Sequence, residues 1–320
     1  MRYVTFQDGA AERVGALLSD EAVLDLAEAE RILSGRTFPA TLQALIEAGP
    51  AAWDQARALA ARAPSQAVQA APRLLAPLTR PIRLRDCSLF LEHMEVAFRG
   101  IARVAAQKEA DPEAAYRALI ATGAYDLKPI YRAQVIYYNA DHLHVVGPEA
   151  DVVWPSQSDW MDYELEWACV VGPGGRDITR SDAASHIFGF TIFNDWSARD
   201  IQLPIMEANL GPGEGKDFAN GLGPWIATPD EFDDPYALCM TAKVNGELWS
   251  QGSTASMHHR FEDAIVQFSR ERTLFPGEVI GSGTVLSGCG FELGRRLSCG
   301  DLVELSIEGL GVLRNRVIRP

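Results

Sequence analysis

The sequence predicts an α+β protein dominated by strands, with a small N-terminal domain over residues 1–80 and a larger one over 81–320. Three observations carry that prediction. Short apolar, β-prone runs alternate with Gly, Pro and Asp turns from Ile82 onward. Asp8-Gly9 and Asn245-Gly246 are dipeptides that close tight hairpins. Pro72, Pro77 and Pro81 cluster after an Ala/Leu-rich segment and read as a linker.

In chain order, MRYVTFQDG and RVGALLSDEAVLDL read as two strands joined at Asp8-Gly9. Residues 40–75 carry helical periodicity in Leu42, Leu45, Ile46, Trp53, Ala56 and Ala60. VIYYNADHLHVVGP, YELEWACVVG, LCMTAKVNGELWSQG and DLVELSIEGLGVLRNRV read as strands. A helix is expected from Ser181, with Thr179 the rival cap, through AASHIFGF. A second covers HRFEDAIVQFSRE.

At 320 residues the chain can bury a core without disulfides or structural metals. Forty-three acidic against 29 basic side chains give a net charge of −14. Such a surface repels phosphate backbones and anionic lipid, which argues against nucleic-acid and membrane partners. It also repels a small carboxylate, so a site for one needs local cations. The five cysteines are scattered, with no C-x-x-C pair, and read as reduced thiols in a cytoplasm. No apolar stretch suits a signal peptide or a membrane span.

Four segments carry chemistry. In Asp162-Tyr-Glu164-Leu-Glu166-Trp a strand would put the three acids on one face. On a helix the two glutamates would lie about 200° apart. Adjacent carboxylates repel unless the face is solvated or a hard cation lies between them. In Asn194-Asp195-Trp-Ser-Ala-Arg199-Asp-Ile-Gln202 a helical turn would bring Asp195, Arg199 and Gln202 together. Gly211-Pro-Gly-Glu-Gly215-Lys216-Asp217 is one residue short of a P-loop and has Asp217 where Ser/Thr belongs, which leaves Lys216 as either a loop cation facing an anionic ligand or a plain surface lysine. His93, between Glu92 and Glu95, is a candidate general base; alone, a histidine is more often structural. His142, His144, His186, His258 and His259 read as structural.

Together these segments resemble the fumarylacetoacetate hydrolase family. The carrying motifs are DYELEWACVVG, GFTIFNDWSARDIQ, GKDFANGLGPWIATPDEF, VNGELWSQG, PGEVIGSGTVLSGCGFELG and GDLVELSIEGLGVLRNRV. The resemblance implies a mixed β-sandwich roll of that family's C-terminal type and a homodimer. It implies a divalent ion, Mg²⁺ or else Ca²⁺ or Mn²⁺, held by Asp86, Glu164, Glu166 and Asp195. It gives catalytic roles to His93, Lys216 and Arg199, with Glu92 assisting the histidine and Glu95 and Glu292 as alternatives. It assigns substrate binding to Gln202, Thr284 and a tyrosine at Tyr137 or Tyr138, Tyr137 being preferred. Asn220 and Ser88 replace a threonine and a tyrosine of the namesake enzymes, which points away from fumarylacetoacetate itself.

The implied reaction is metal-dependent hydrolysis of a C–C bond in a 1,3-dicarbonyl acid. Four carboxylates around a divalent ion leave two negative charges, which Arg199 and Lys216 cancel before an anionic oxo acid arrives. His93 deprotonates water, and the cations stabilise the enolate that leaves. The alternative on the same site is decarboxylation, hydration or enol–keto tautomerisation.

Overall fold

The computed structural model describes residues 1–320 as a strand-rich α+β fold. Its larger sheet runs, through its central part, in the order Arg2–Asp8, Asn220–Ala227, Ile187–Asp195, Leu165–Val171, Val279–Gly281, Leu84–Cys87, Tyr137–Ala140. A second sheet of five strands runs Glu247–Ser253, Cys239–Val244, Leu302–Ile307, Gly311–Ile318, Asp151–Val153. Trp167, Phe190 and Ile192 of the first sheet share one apolar core with Met240, Leu305 and Leu313 of the second. Phe261 and Phe268, on the helix Phe261–Ser269, complete that core. The two sheets thus form the mixed roll the motifs imply.

The first 80 residues are woven into this structure. The hairpin at Asp8-Gly9 forms, with Asp8 opposite Ala11. Its first strand also pairs with Asn220–Ala227, so the N-terminal strands extend the larger sheet. Tyr3, Leu24, Leu45 and Leu59 share a core with Val170, Phe188 and Ile226. The proline-rich stretch is packed rather than free: Leu74–Leu75 pairs with the first strand, and Thr5 Oγ1 donates to the Pro77 carbonyl at 2.7 Å.

Two expected helices are corrected. The periodicity over 40–75 resolves into Leu42–Ala48 and Pro50–Arg62, broken at Gly49 with φ of 78°. Pro50 suits the first helical position because its missing N–H has no partner there anyway. The segment from Ser181 is a short 3₁₀ turn, Ala183–His186, leading into the strand Ile187–Asp195. That strand is buried on both faces, so it shows a continuous apolar run instead of a period. Its aromatic and β-branched residues favour extended backbone. A further helix, Leu91–Ala106, carries His93.

Pairing register sets up the site. Asp86 lies opposite both Gly281 and Tyr138, Leu165 opposite Asn194, and Asp195 opposite Asn220. The start of Leu165–Val171 and the ends of Ile187–Asp195 and Leu84–Cys87 therefore meet at one edge of the sheet. Gly281 lies between two of these strands, and a Cβ there would come 2.8 Å from Asp86 Oδ1 and from the Phe193 ring. The absence of a side chain is what lets Asp86 approach.

Candidate active site

Asp86, Glu166 and Asp195 bring one carboxylate oxygen each to within 4.8 Å of the others. All three are buried. Gly283 N donates to Asp86 Oδ1 at 3.2 Å, Thr284 Oγ1 to Glu166 Oε1 at 3.2 Å, and Tyr138 Oη to Asp195 Oδ2 at 2.7 Å. Glu166 Oε2 and Asp195 Oδ1 have no hydrogen-bond partner. Burial, reinforced by the neighbouring carboxylates, pushes Asp86 and Glu166 well above the usual carboxylate range. Burial raises Asp195 to about 6, even with Lys216 opposing the rise. A cluster that resists ionisation this strongly, with two orphaned oxygens, fits a hard divalent cation. The all-oxygen donor set suits Mg²⁺, Mn²⁺ or Ca²⁺ better than a soft metal.

Glu164, expected as the fourth ligand, lies outside this group of three and pairs with two cations. Its Oε2 accepts from Lys216 Nζ at 2.5 Å and its Oε1 from Arg199 Nη2 at 2.8 Å. Burial alone would raise its pKa, but these two cations outweigh it and hold it below the ordinary range. The physical reason is charge: Lys216 also reaches Asp195 Oδ2 at 2.5 Å, so the ammonium lies where two carboxylates converge.

The spacing of Asp195, Arg199 and Gln202 predicted one helical face. Asp195 instead ends its strand, and Arg199 and Gln202 lie on the helix Arg199–Met206 that follows. The three still reach one site. Arg199 Nη1 donates to Gln202 Oε1 at 2.9 Å, leaving the NH₂ of Gln202 as the side chain's remaining donor.

Asp162 was read as sharing the glutamate face but was given no role. It is fully buried and binds Arg199 through Nε at 2.9 Å and Nη2 at 2.7 Å. Gly290 N and Phe291 N also donate to it. Asp162 is therefore a fifth carboxylate in the expected charge balance, and the two backbone N–H dipoles offset part of its charge.

Two further assignments change. Glu92, expected to assist His93, is exposed, and Glu95 pairs with Arg132 at 2.5 Å. On a helix, neighbours in sequence point apart. The carboxylate on His93 is Glu292, whose Oε2 lies 3.1 Å from Nδ1. Tyr137 packs edge-on against Phe268 in the core, while Tyr138, one residue on and so on the opposite strand face, reaches Asp195. The signal that could have found Tyr138 was this alternation; for Glu292 it was only the third candidacy.

The His93–Glu292 pair and the carboxylate cluster are neighbours. Glu164 is bridged antiparallel to Cys289, and Leu165 N donates to the Gly288 carbonyl, so the Glu292 segment lies beside the glutamate strand. Gly100 lets the His93 helix close against this segment, because a Cβ there would come 2.7 Å from the Phe291 ring.

The family profile for the fumarylacetoacetate hydrolase C-terminal region matches residues 113–318. The chain belongs to the fumarylacetoacetate hydrolase family. Over 178 residues it is 39% identical to the human protein named oxaloacetate tautomerase FAHD2A, mitochondrial, covering 54% of this chain and 56% of that one. Over 158 residues it is 34% identical to oxaloacetate tautomerase YisK of Bacillus subtilis, covering 49% and 52%. The chain thus spans about half the length of the curated relatives it matches. A fumarylacetoacetate hydrolase of Exiguobacterium antarcticum superposes with a TM-score of 0.74 at 24% identity over the whole of both chains. A 5-carboxymethyl-2-hydroxymuconate delta-isomerase of Mycobacterium smegmatis gives 0.66 at 22%, again over the whole of both. At those identities the likeness is one of fold. Hydrolases, isomerases and tautomerases all occur among these similar family members. No helix of the chain is long and apolar enough to cross a membrane.

Proposed function

We propose that this chain is a divalent-metal-dependent enol–keto tautomerase acting on a short 2-oxo dicarboxylic acid of the oxaloacetate type. The observation that carries the reading is the His93–Glu292 pair standing beside the open carboxylates of Asp86, Glu166 and Asp195. Moving a proton between carbon and oxygen needs a proton-transfer group next to a site that stabilises an enolate. The names of the curated relatives favour tautomerisation over C–C hydrolysis, the alternative of the two expectations over the main one.

Asp86, Glu166 and Asp195 would hold the ion, and a bound divalent ion would polarise the 2-oxo group as a Lewis acid. His93, oriented by Glu292, exchanges the proton at C3. In the direction from enol to keto, the proton leaves the C2 hydroxyl, C3 gains one, and the C2=C3 double bond becomes C2=O. Lys216 and Arg199 carry the positive charge that keeps the oxygen anionic between the two transfers. Gln202 orients a substrate carboxylate through its NH₂. A homodimer is part of the proposal by family resemblance. A cytoplasmic location rests on the thiols alone, and the human relative is mitochondrial.

The test is a paired assay with Mg²⁺ or Mn²⁺. Decay of the ultraviolet absorbance of enol-oxaloacetate is compared with acid release from acylpyruvates and with pyruvate release from oxaloacetate. The account expects accelerated enol decay without fragment release. Release of two acids from an acylpyruvate, with no effect on enol decay, would contradict it.

A further inference from the structure

The structure holds a second group of converging ligand atoms with different chemistry. His93, Cys289 and Glu292 each offer one atom within 4.8 Å of the others. Glu292 Oε2 lies 3.1 Å from His93 Nδ1 and 3.6 Å from Cys289 Sγ. A tetrahedral zinc ion with bonds of about 2.0–2.3 Å holds neighbouring donors roughly 3.3–3.7 Å apart. Of the two observed separations, 3.6 Å falls within that spacing and 3.1 Å lies just short of it. Independently, Glu292 Oε1 has no hydrogen-bond partner although the side chain is only 1% exposed. Cys289 is fully buried, and the group reaches solvent at His93.

The geometry points to a soft-metal site formed by His93, Cys289 and Glu292, distinct from the all-oxygen triad, at which Zn²⁺ binds and blocks the acid–base pair. Thiolate, imidazole and carboxylate make a zinc-type donor set, whereas Asp86, Glu166 and Asp195 suit a hard ion. The two groups thus sort metals by softness. As the sulfur–zinc bond forms, the Cys289 thiol gives its proton to solvent, and no electrons move. Binding follows from the ligand geometry alone; its inhibitory consequence rests on the proposed role of His93.

The test adds Co²⁺ to protein already saturated with Mg²⁺. A thiolate-to-cobalt charge-transfer band is expected in the wild type and in a Cys239→Ser/Cys299→Ser variant, which removes the two exposed thiols. The band should vanish in Cys289→Ser. Zn²⁺ should inhibit the Mg²⁺-loaded enzyme, excess Mg²⁺ should not relieve it, and a chelator should. Cys289→Ser should need at least about tenfold more zinc. If the wild type shows no band, or the band persists in Cys289→Ser, the site does not exist. Should Cys289→Ser fail to fold by circular dichroism, His93→Gln keeps the thiol and must weaken cobalt binding by about tenfold or more; unchanged binding overturns the proposal. A normal band in a protein without tautomerase activity would leave the metal site standing and refute the proposed reaction instead.

Discussion

The carboxylate triad and the His93 pair lie side by side but are built in opposite ways. Asp86, Glu166 and Asp195 come from the ends of three strands of one sheet, with Val279–Gly281 between the Asp86 and Glu166 strands, and pairing register sets their convergence. His93 and Glu292 come from two helices, Leu91–Ala106 and Gly290–Leu293, that meet through the Phe291 ring beside Gly100. Glu166 and Asp195 are fully buried, while Asp86 and His93 each keep 8% of their surface exposed. A cation grip gains from fixed, dry ligands, and a group that exchanges protons must stay in reach of substrate and water. The difference separates holding from reacting, and mutations can break one without the other.

The largest effect is expected at the triad. Asp195→Ala or Glu166→Ala should abolish turnover while the chain still folds, checked by activity assay with excess Mg²⁺ and circular dichroism. Wild-type turnover in either variant would dissolve the distinction. On the other side, His93→Ala should cost about 10²–10⁴ in rate and leave Mn²⁺ binding intact. Loss of Mn²⁺ binding there would mean that the two groups act as one.

Glu292→Gln should lower the rate by about 10–100-fold, because the imidazole loses the carboxylate that orients it. Glu92→Gln should change the rate less than about twofold, since its side chain faces solvent. The ratio of the two variants reads directly which glutamate serves His93.

The smallest effect is in stability. Burial raises Asp195 from 3.8 to about 6 in the folded chain. A carboxyl raised on folding stabilises the fold below its unfolded value, and that contribution is lost as pH climbs through the folded one. In chelator, the melting temperature of the wild type should therefore fall relative to Asp195→Asn between pH 3.8 and about 6. A parallel pH dependence of the two proteins would remove the triad's strain from the account.

The sequence made the triad far more legible than the pair. Alternation along Asp162–Glu166 placed the acids on one strand face, and the order of the motifs implied the fold. What failed was the assignment of partners across space. Glu292 lies 199 positions beyond His93, and no local pattern announces that contact; Glu92 was nearer only in sequence. Tyr137 and Tyr138 differ by one residue, which on a strand reverses the face. The segment AASHIFGF resembled a helix because a strand buried on both sides has no polar alternation. Glu164 enters the ligand set through the family resemblance, and nothing in the local spacing shows that Lys216, 52 residues on, pairs with it.

The most direct test titrates Mn²⁺ into the chelator-treated wild type, Asp195→Ala and His93→Ala, following free Mn²⁺ by electron paramagnetic resonance with Mg²⁺ absent. The account predicts one site per chain in the wild type and in His93→Ala, and none in Asp195→Ala. Retention of that site at unchanged affinity in Asp195→Ala would contradict it.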